Sequence, residues 1–426
     1  MQLHHRVALA VASGLLLIPL SGCPDPSATN QANTPDEQGK SDQTLQGNLH
    51  EGEIKADQTW TKAASPHIVR GTLYVQSAQG ATLTIEPGAE VRFEPGAALH
   101  VGWNDTGILK AVGTATESIT FTTTQASKVP GAWGQIYVGN GGASTILSHC
   151  KIMYGGGTGK EANDSALYVN GEGNKPTVRN CTFENNAGIA VSAFDTSFTA
   201  FENNTITTSG ENPIQLSPEA AGSLGAGNRL TGNGNDTVLL TAGTVSKSVR
   251  WRNHGIPYRV MGTVFVQHAS NAPVLTVDPG SVVQFAHEAA LSVAYSGMGA
   301  LHAVGTSAEA SESITFTSLP SNKAPGAWSG IYMGDATVDG AENNTSSTRL
   351  RYVTIEYAGD SGNFGANLYV DSCKPLLEKL TLRKSAGVGI QLVGELATIP
   401  VESLFSDSSK ITYDNNAVGT YLYPEQ

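Results

Sequence analysis

Three sets of side chains in this sequence have types and spacings that invite chemistry. Cys150 and Cys181 stand in matching hexapeptides, LSHCKI (147–152) and VRNCTF (178–183), 31 residues apart. At such a period two thiols fall on neighbouring turns of a stacked chain. They are then either buried apolar groups or the halves of a disulfide. Trp133 and Trp328 each close a PGAW tetrapeptide and are followed by Tyr137 and Tyr332. Such rings serve either as platforms for a sugar or as wedges under a Pro-Gly turn, where Trp buries most of its surface. By strand alternation Tyr137 and Tyr332 face opposite to Ile136 and Ile331, which favours their exposure. Finally, Asp164, Glu172, Glu184, Asp195, Glu202 and Asp236 crowd the middle of the chain, with Arg179 among them. Carboxylates paired on one face do acid and base work on glycosidic bonds. No compact Asp-Asp pair is present, so a solvated acidic face is the default reading.

Other candidates are weaker. His67, His100, His149, His254, His268, His287 and His302 are scattered singly, and no His or Asp recurs beside the thiols at ligand spacing, so neither a metal nor a cofactor is expected. Glu86, Glu94 and Asp278 each precede Pro-Gly, which points to turn chemistry ahead of calcium. Cys373 falls in an expected turn, DSCKP, without a partner.

The elements that must position these residues are short strands, written twice. LTIEPGAEVRF (83–93) returns as LTVDPGSVVQF (275–285), and LKAVGTATESITFTT (109–123) as LHAVGTSAEASESITFTS (301–318). KVPGAWGQIYVG (128–139) returns as KAPGAWSGIYMG (323–334), and the ALYV of 166–169 as the NLYV of 367–370. The copies occupy residues 56–248 and 249–426. Apolar residues alternate within each, as in Thr72-Leu73-Tyr74-Val75, and Pro-Gly or Asn-containing turns separate the runs. In Pro87-Gly88 and Pro279-Gly280 the glycine is expected at positive φ. The spacings fit a coil with turns of 18 to 31 residues, and residues 238–251 keep the alternation through the junction, which favours one continuous coil over two rods. The paired Asn of FENN (183–186 and 201–204) are expected to form an amide ladder, and the segments before Trp60 and after residue 408 to cap the ends.

The pattern resembles the right-handed parallel β-helix, the pectin-lyase-like fold, and more narrowly the repeat-rich β-helix lipoproteins of bacteria. The residues that carry the resemblance are Trp251, Pro257-Tyr258, Val260, Gly262 and Val264 with the duplicated motifs above, over roughly residues 60 to 405. It implies an all-β solenoid. Its implication for function is broad, since the same scaffold carries enzymes and adhesins. Hydrolases of the fold use paired carboxylates, and lyases a Lys or Arg base beside a calcium site. A loop-walled cleft near residues 155–165 or 339–348 would favour an enzyme, and a smooth face a binding rod.

At the N-terminus, His4-His5-Arg6 leads into the apolar run 7–20, which ends at Leu20-Ser21-Gly22-Cys23. This resembles a lipobox, which implies a signal peptide over 1–22, a lipid on Cys23 and a membrane anchor. Residues 23–55 contain polar side chains and no aromatic one before Trp60, as expected of a tether. A net charge of −12 without a basic stripe argues against nucleic acid. The expectation is an envelope lipoprotein, placed at the outer membrane. It would be a surface binding or scaffold protein, with a polysaccharide or another surface protein as its partner. The alternative is a polysaccharide-active lyase or hydrolase, and the sequence leans away from an enzyme.

Overall fold

The computed structural model describes residues 48–157, 164–360, 365–398 and 411–422. Cys23, the expected signal peptide and residues 23–47 of the expected tether lie outside them. Within the described residues the chain is a right-handed parallel β-helix of 39 short strands in five parallel sheets. Sheet 1 holds seven strands, from Asn48–His50 to Thr205–Thr207, and sheet 2 fourteen, from Glu53–Ile54 to Ile411–Asp414. Sheet 3 holds six, from Gln58–Trp60 to Ala200–Glu202. Sheet 4 holds seven, from Gly243–Val245 to Gly419–Leu422, and sheet 5 five, from Val249–Trp251 to Leu376–Glu378.

The strands form because apolar residues alternate and turns interrupt them. Ala81–Ile85 buries Ala81, Leu83 and Ile85 and leaves Thr82 and Thr84 partly accessible. Glu86-Pro87-Gly88 then reverses the chain: Gly88 has φ 76°, and Ala89 N donates to Glu86 O at 3.1 Å. Gly280 has φ 75° in the second copy, with Ser281 N donating to Asp278 O at 3.2 Å. A side chain at that φ would be strained, so both turns require glycine. The three acids before Pro-Gly pair with the backbone or with cations. Glu86 accepts from Lys62 N, Glu94 from Arg70, and Asp278 from Arg250.

Stacked turns put like side chains on one another. On sheet 2 one inward column runs Leu73, Leu99, Ile136, Leu167, Val191, Ile214, Val238, Tyr258, Val283, Phe316, Ile355, Leu382. Every member is buried, each contributing about 1.5–3 kcal/mol of apolar burial at full depth. Because this column passes unbroken from one copy into the other, the two form one coil.

The copies are out of phase. In the first, each turn visits sheets 1, 2 and 3; in the second it visits sheets 2, 4 and 5. His67–Val69 and Tyr258–Val260 are equivalent in sequence, yet the former lies in sheet 1 and the latter in sheet 2. The shift arises over residues 217–237. There Leu224 bridges to Phe201 and Arg229 to Thr205, completing an irregular turn before Val238–Leu240 opens the second copy on sheet 2, ahead of the expected boundary at residue 249. Sheet 4 therefore continues the side of the coil that sheet 3 occupied.

Several expectations are corrected. The coil starts at Asn48, so residues 48–55 form its first turn and are not tether. The strands before Trp60, and those at Ile411–Asp414 and Gly419–Leu422, pair in parallel with the neighbouring turns; the rest of the expected C-terminal cap lies outside the described residues. At the first turn Trp60, 2% exposed, closes the core end between His50 and His67, with ring centroids at 4.1 and 5.0 Å. The turns also exceed the expected range. Phe316 meets its register partner at Ile355, because residues 339–348 form an added loop closed by Ser347 onto Ala341 and Asn344.

The FENN asparagines do not stack on each other. Asn185 and Asn203 take positive φ, and Asn186 and Asn204 turn inward at different corners. Asn204 accepts from Cys181 N at 2.9 Å and donates to Val178 O at 3.1 Å; Asn186 does the same for Gly155 N and Ile152 O. Each amide satisfies the backbone of the preceding turn where the strand ladder breaks.

Candidate functional site

The pairs Trp133/Tyr137 and Trp328/Tyr332 separate into two environments. Trp133 and Trp328 point inward and are 0% exposed. Trp133 lies flat on Phe93, with ring centroids 4.1 Å apart at 8°, and its Nε1 donates to Met153 O at 2.8 Å. Trp328 repeats this on Phe285 and Glu356 O. As ligand-binding platforms both are therefore corrected: they are core residues wedged beneath the Pro-Gly turn, with no face left for a sugar.

Tyr137 and Tyr332 point outward, and each belongs to a file of aromatic rings. On sheet 2 the outward positions Tyr74, His100, Tyr137 and Tyr168 are register partners on successive turns. Trp103 leans over His100 and Tyr137, with both centroid distances at 4.8 Å, and Phe194 extends the file 5.8 Å beyond Tyr168. Tyr137, hemmed in by Trp103, His100 and Tyr168, is only 7% exposed, whereas Trp103 is 45% exposed. The second file runs along sheet 4, with Tyr295 just past the strand Ala290–Val293: Phe265, Tyr295, Tyr332 and Tyr369 follow one another at centroid distances of 5.8, 5.7 and 5.4 Å. Tyr295 is 60% exposed at its tip.

Sequence reasoning missed most of these rings. The signal was present: the third residue of TLYV, ALHV, QIYV and ALYV is Tyr74, His100, Tyr137 and Tyr168, and that of TVFV, GIYM and NLYV is Phe265, Tyr332 and Tyr369. Reading the four-residue frame turn by turn, and not only the flanking PGAW, would have found both files.

Burial lowers the His100 pKa from 6.5 to about 4. Burial also raises the Tyr168 phenol, helped by Tyr137 and Asp195, and raises Tyr332 and Tyr369, helped by Asp371.

Between the files the surface sinks into a groove of about 700 Å3. Phe194 lines it, as does Thr244, the register partner of Phe265. Gly171, Ser217, Ala242 and Gly243 keep it open with small side chains. Glu172, Asp195 and Glu219 line it against Lys175 and Lys247. Glu219 is anchored, its Oε2 accepting from Ser246 N at 2.7 Å and Ser246 Oγ at 2.6 Å.

Of the six mid-chain acids the groove thus gathers only Glu172 and Asp195. Glu184 stands on sheet 1, Glu202 on sheet 3 at 4.0 Å from Arg179, and Asp164 follows the undescribed residues 158–163. Asp236 folds back on its own turn. Burial works to raise its pKa, but hydrogen bonds from Gly232 N, Asn233 N and the Asn233 amide lower it on balance.

Cys150 and Cys181 do occupy adjacent turns of sheet 1, pointing inward, each 1% exposed. Both are free thiols, as is Cys373, which is buried at 2% exposure and not in an open turn. Burial first, then the neighbouring Cys181, raises the Cys150 pKa; burial pushes Cys373 up to about 12. Among the described residues no group of three or more His, Cys, Asp or Glu is arranged to hold a metal ion.

Comparison with known proteins agrees with this architecture. The family described as "Right handed beta helix region" matches residues 106–251, which hold Tyr137, Tyr168, Phe194 and the groove. The chain is also similar to the "Protein bark beetle" of Drosophila melanogaster, at 38% identity over 96 residues. That stretch is 22% of this chain and 3% of the fly protein. No solved structure matches.

Proposed function

We propose that this protein is a non-catalytic, envelope-anchored β-helix that holds a carbohydrate chain against its outward aromatic files. The observation that carries the reading is the run Tyr74, His100, Trp103, Tyr137, Tyr168 and Phe194 on one side of the coil. Outward positions of a soluble coil are ordinarily polar, and rings there cost solvation unless something covers them. Aromatic side chains with polar tips match a partner having both apolar C–H faces and hydroxyl edges, as sugars have. Anchorage rests on the apolar run ending at Leu20-Ser21-Gly22-Cys23, with the lipid on Cys23 reaching a bacterial membrane and the outer membrane as its destination.

The test is to present the full chain, solubilised in mild detergent, to an array of neutral and acidic polysaccharides and read retention and released products together. Retention without new reducing or unsaturated ends is expected, and Tyr137→Ala combined with Tyr168→Ala is expected to weaken retention. Retention undiminished by the double substitution would remove the aromatic file from the account. An enzyme reading keeps one supporting observation, that Glu172 and Asp195 line the same groove. Product release that is lost in Glu172→Gln or Asp195→Asn would establish it in place of the binding reading.

A further inference from the structure

The two aromatic files come from equivalent strands but lie on different sides of the coil, because the second copy starts one side late. Taken alone, that would make them two separate sites. The groove argues otherwise. Its lining includes both Phe194, the last ring of the first file, and Thr244, which pairs directly with Phe265, the first ring of the second. Its floor follows the corner that leads from sheet 2 toward sheet 4, through Ser217, Thr241, Ala242 and Gly243. Met261, 50% exposed, adds apolar surface one turn on from Leu240, whose carbonyl accepts its N–H.

We propose that the two files and the groove form one continuous track for a single neutral polysaccharide chain. The track winds from sheet 2 onto sheet 4 in the same hand as the coil itself. This rests on the carbohydrate reading above and extends it to ligand class, length and stoichiometry. The track rises over ten turns from Tyr74 to Tyr369, about 48 Å at ~4.8 Å per turn, so only an extended polymer occupies all of it. The ligand is neutral because a polyanion would cross Glu172, Asp195 and Glu219 against only Lys175 and Lys247, on a chain of net charge −12.

A linked site has a distinctive affinity pattern. A short fragment engages one file at a time, whereas a long one engages both, and the second contact becomes intramolecular. The experiment titrates the full chain with short and long size-fractions of three neutral polysaccharides: xyloglucan, mixed-linkage β-glucan and galactomannan. One long fragment per chain is expected, bound at least ~100-fold more tightly than a short one. Ala242→Leu, which puts a branched side chain into the groove, is expected to bring the long fragment down toward the short one. Substituting either Tyr137 and Tyr168 or Tyr295 and Tyr332 with Ala is expected to reduce long-fragment affinity without altering its one-to-one stoichiometry. Two long fragments per chain, each lost with one pair of tyrosines and insensitive to Ala242→Leu, would overturn the single track and leave the carbohydrate reading standing. Failure of every neutral fragment to bind would overturn both.

Discussion

Trp328 lies flat on Phe285, their ring centroids 4.2 Å apart at 7°, while Tyr332, four residues on, faces the opposite side of the same wall. The chain thus separates a residue that holds the coil together from one that it displays. Trp328→Ala is expected to cost about 3–5 kcal/mol, as is Trp133→Ala, because each removes a fully buried ring and orphans a carbonyl partner. Tyr332→Ala is expected to cost no more than about 1–2 kcal/mol for a half-buried outward ring. Guanidinium unfolding followed by far-UV circular dichroism separates the two classes; equal losses would mean that the outward files are structural.

Asn204 and its neighbour Asn203 should respond in opposite ways. Asn204→Ala removes the acceptor of Cys181 N and a donor to Val178 O, at about 1–3 kcal/mol for the buried N–H left unpaired. Asn203 occupies positive φ on the surface, so Asn203→Gly is expected to be neutral within about 0.5 kcal/mol. Native-state hydrogen exchange at Cys181 should quicken in the first variant and not in the second.

Acid should weaken the coil before the carboxylates titrate. His50, His100 and His254 are each held at about 4 by burial, against 6.5 for an exposed imidazole. Between those values the unfolded chain binds more protons than the folded one, so stability falls as pH drops from about 6.5 toward 4 and the histidine contribution levels off below. Denaturation midpoints at pH 7, 6 and 5 read this directly. His254→Asn should shallow the slope, and an unchanged midpoint over that range would contradict the burial.

The thiols of Cys150, Cys181 and Cys373 should be silent in the folded protein. All three are buried and free, and burial raises Cys150 and Cys373 well above the pH at which thiolates form. Iodoacetamide is expected to leave them unmodified in buffer and to label all three in denaturant without a reductant. Mass spectrometry showing a Cys150–Cys181 bridge in the unreduced sample would reverse the assignment.

The coil itself was legible because its cause is local and repeated. Alternation in ATLTI and TLYV, glycine at 88 and 280, and the duplicated eleven-residue segments each encode one strand or one turn. What could not be read was how turns sit over one another. The phase of the second copy depends on residues 217–237, which have no strand pattern yet complete a circuit through Leu224 and Arg229. The asparagine pairs looked alike in sequence and serve different corners, because each acts on whichever backbone lies one turn before it. The ring files were half visible: Tyr137 and Tyr332 were singled out for facing outward, and the four-residue frame carried Tyr74, His100, Tyr168, Phe265 and Tyr369, whereas Trp103, Phe194 and Tyr295 lie outside that frame and join the files only through stacking. The thiols' adjacency followed from the 31-residue echo, whereas their bonding state did not.

The irregular turn at 217–237 also fixes a rule for the architecture as a whole. From Asn48 to Val238 the chain makes seven complete circuits plus one side of the triangle. The two copies are therefore related by a screw operation and not by a translation. Repeating that operation would send the next copy's rings to the remaining side, and a fourth copy's back to the first. Copy number in such a chain would set the compass bearing of its surface together with its length, and relatives that differ by one copy would point the same residues in different directions.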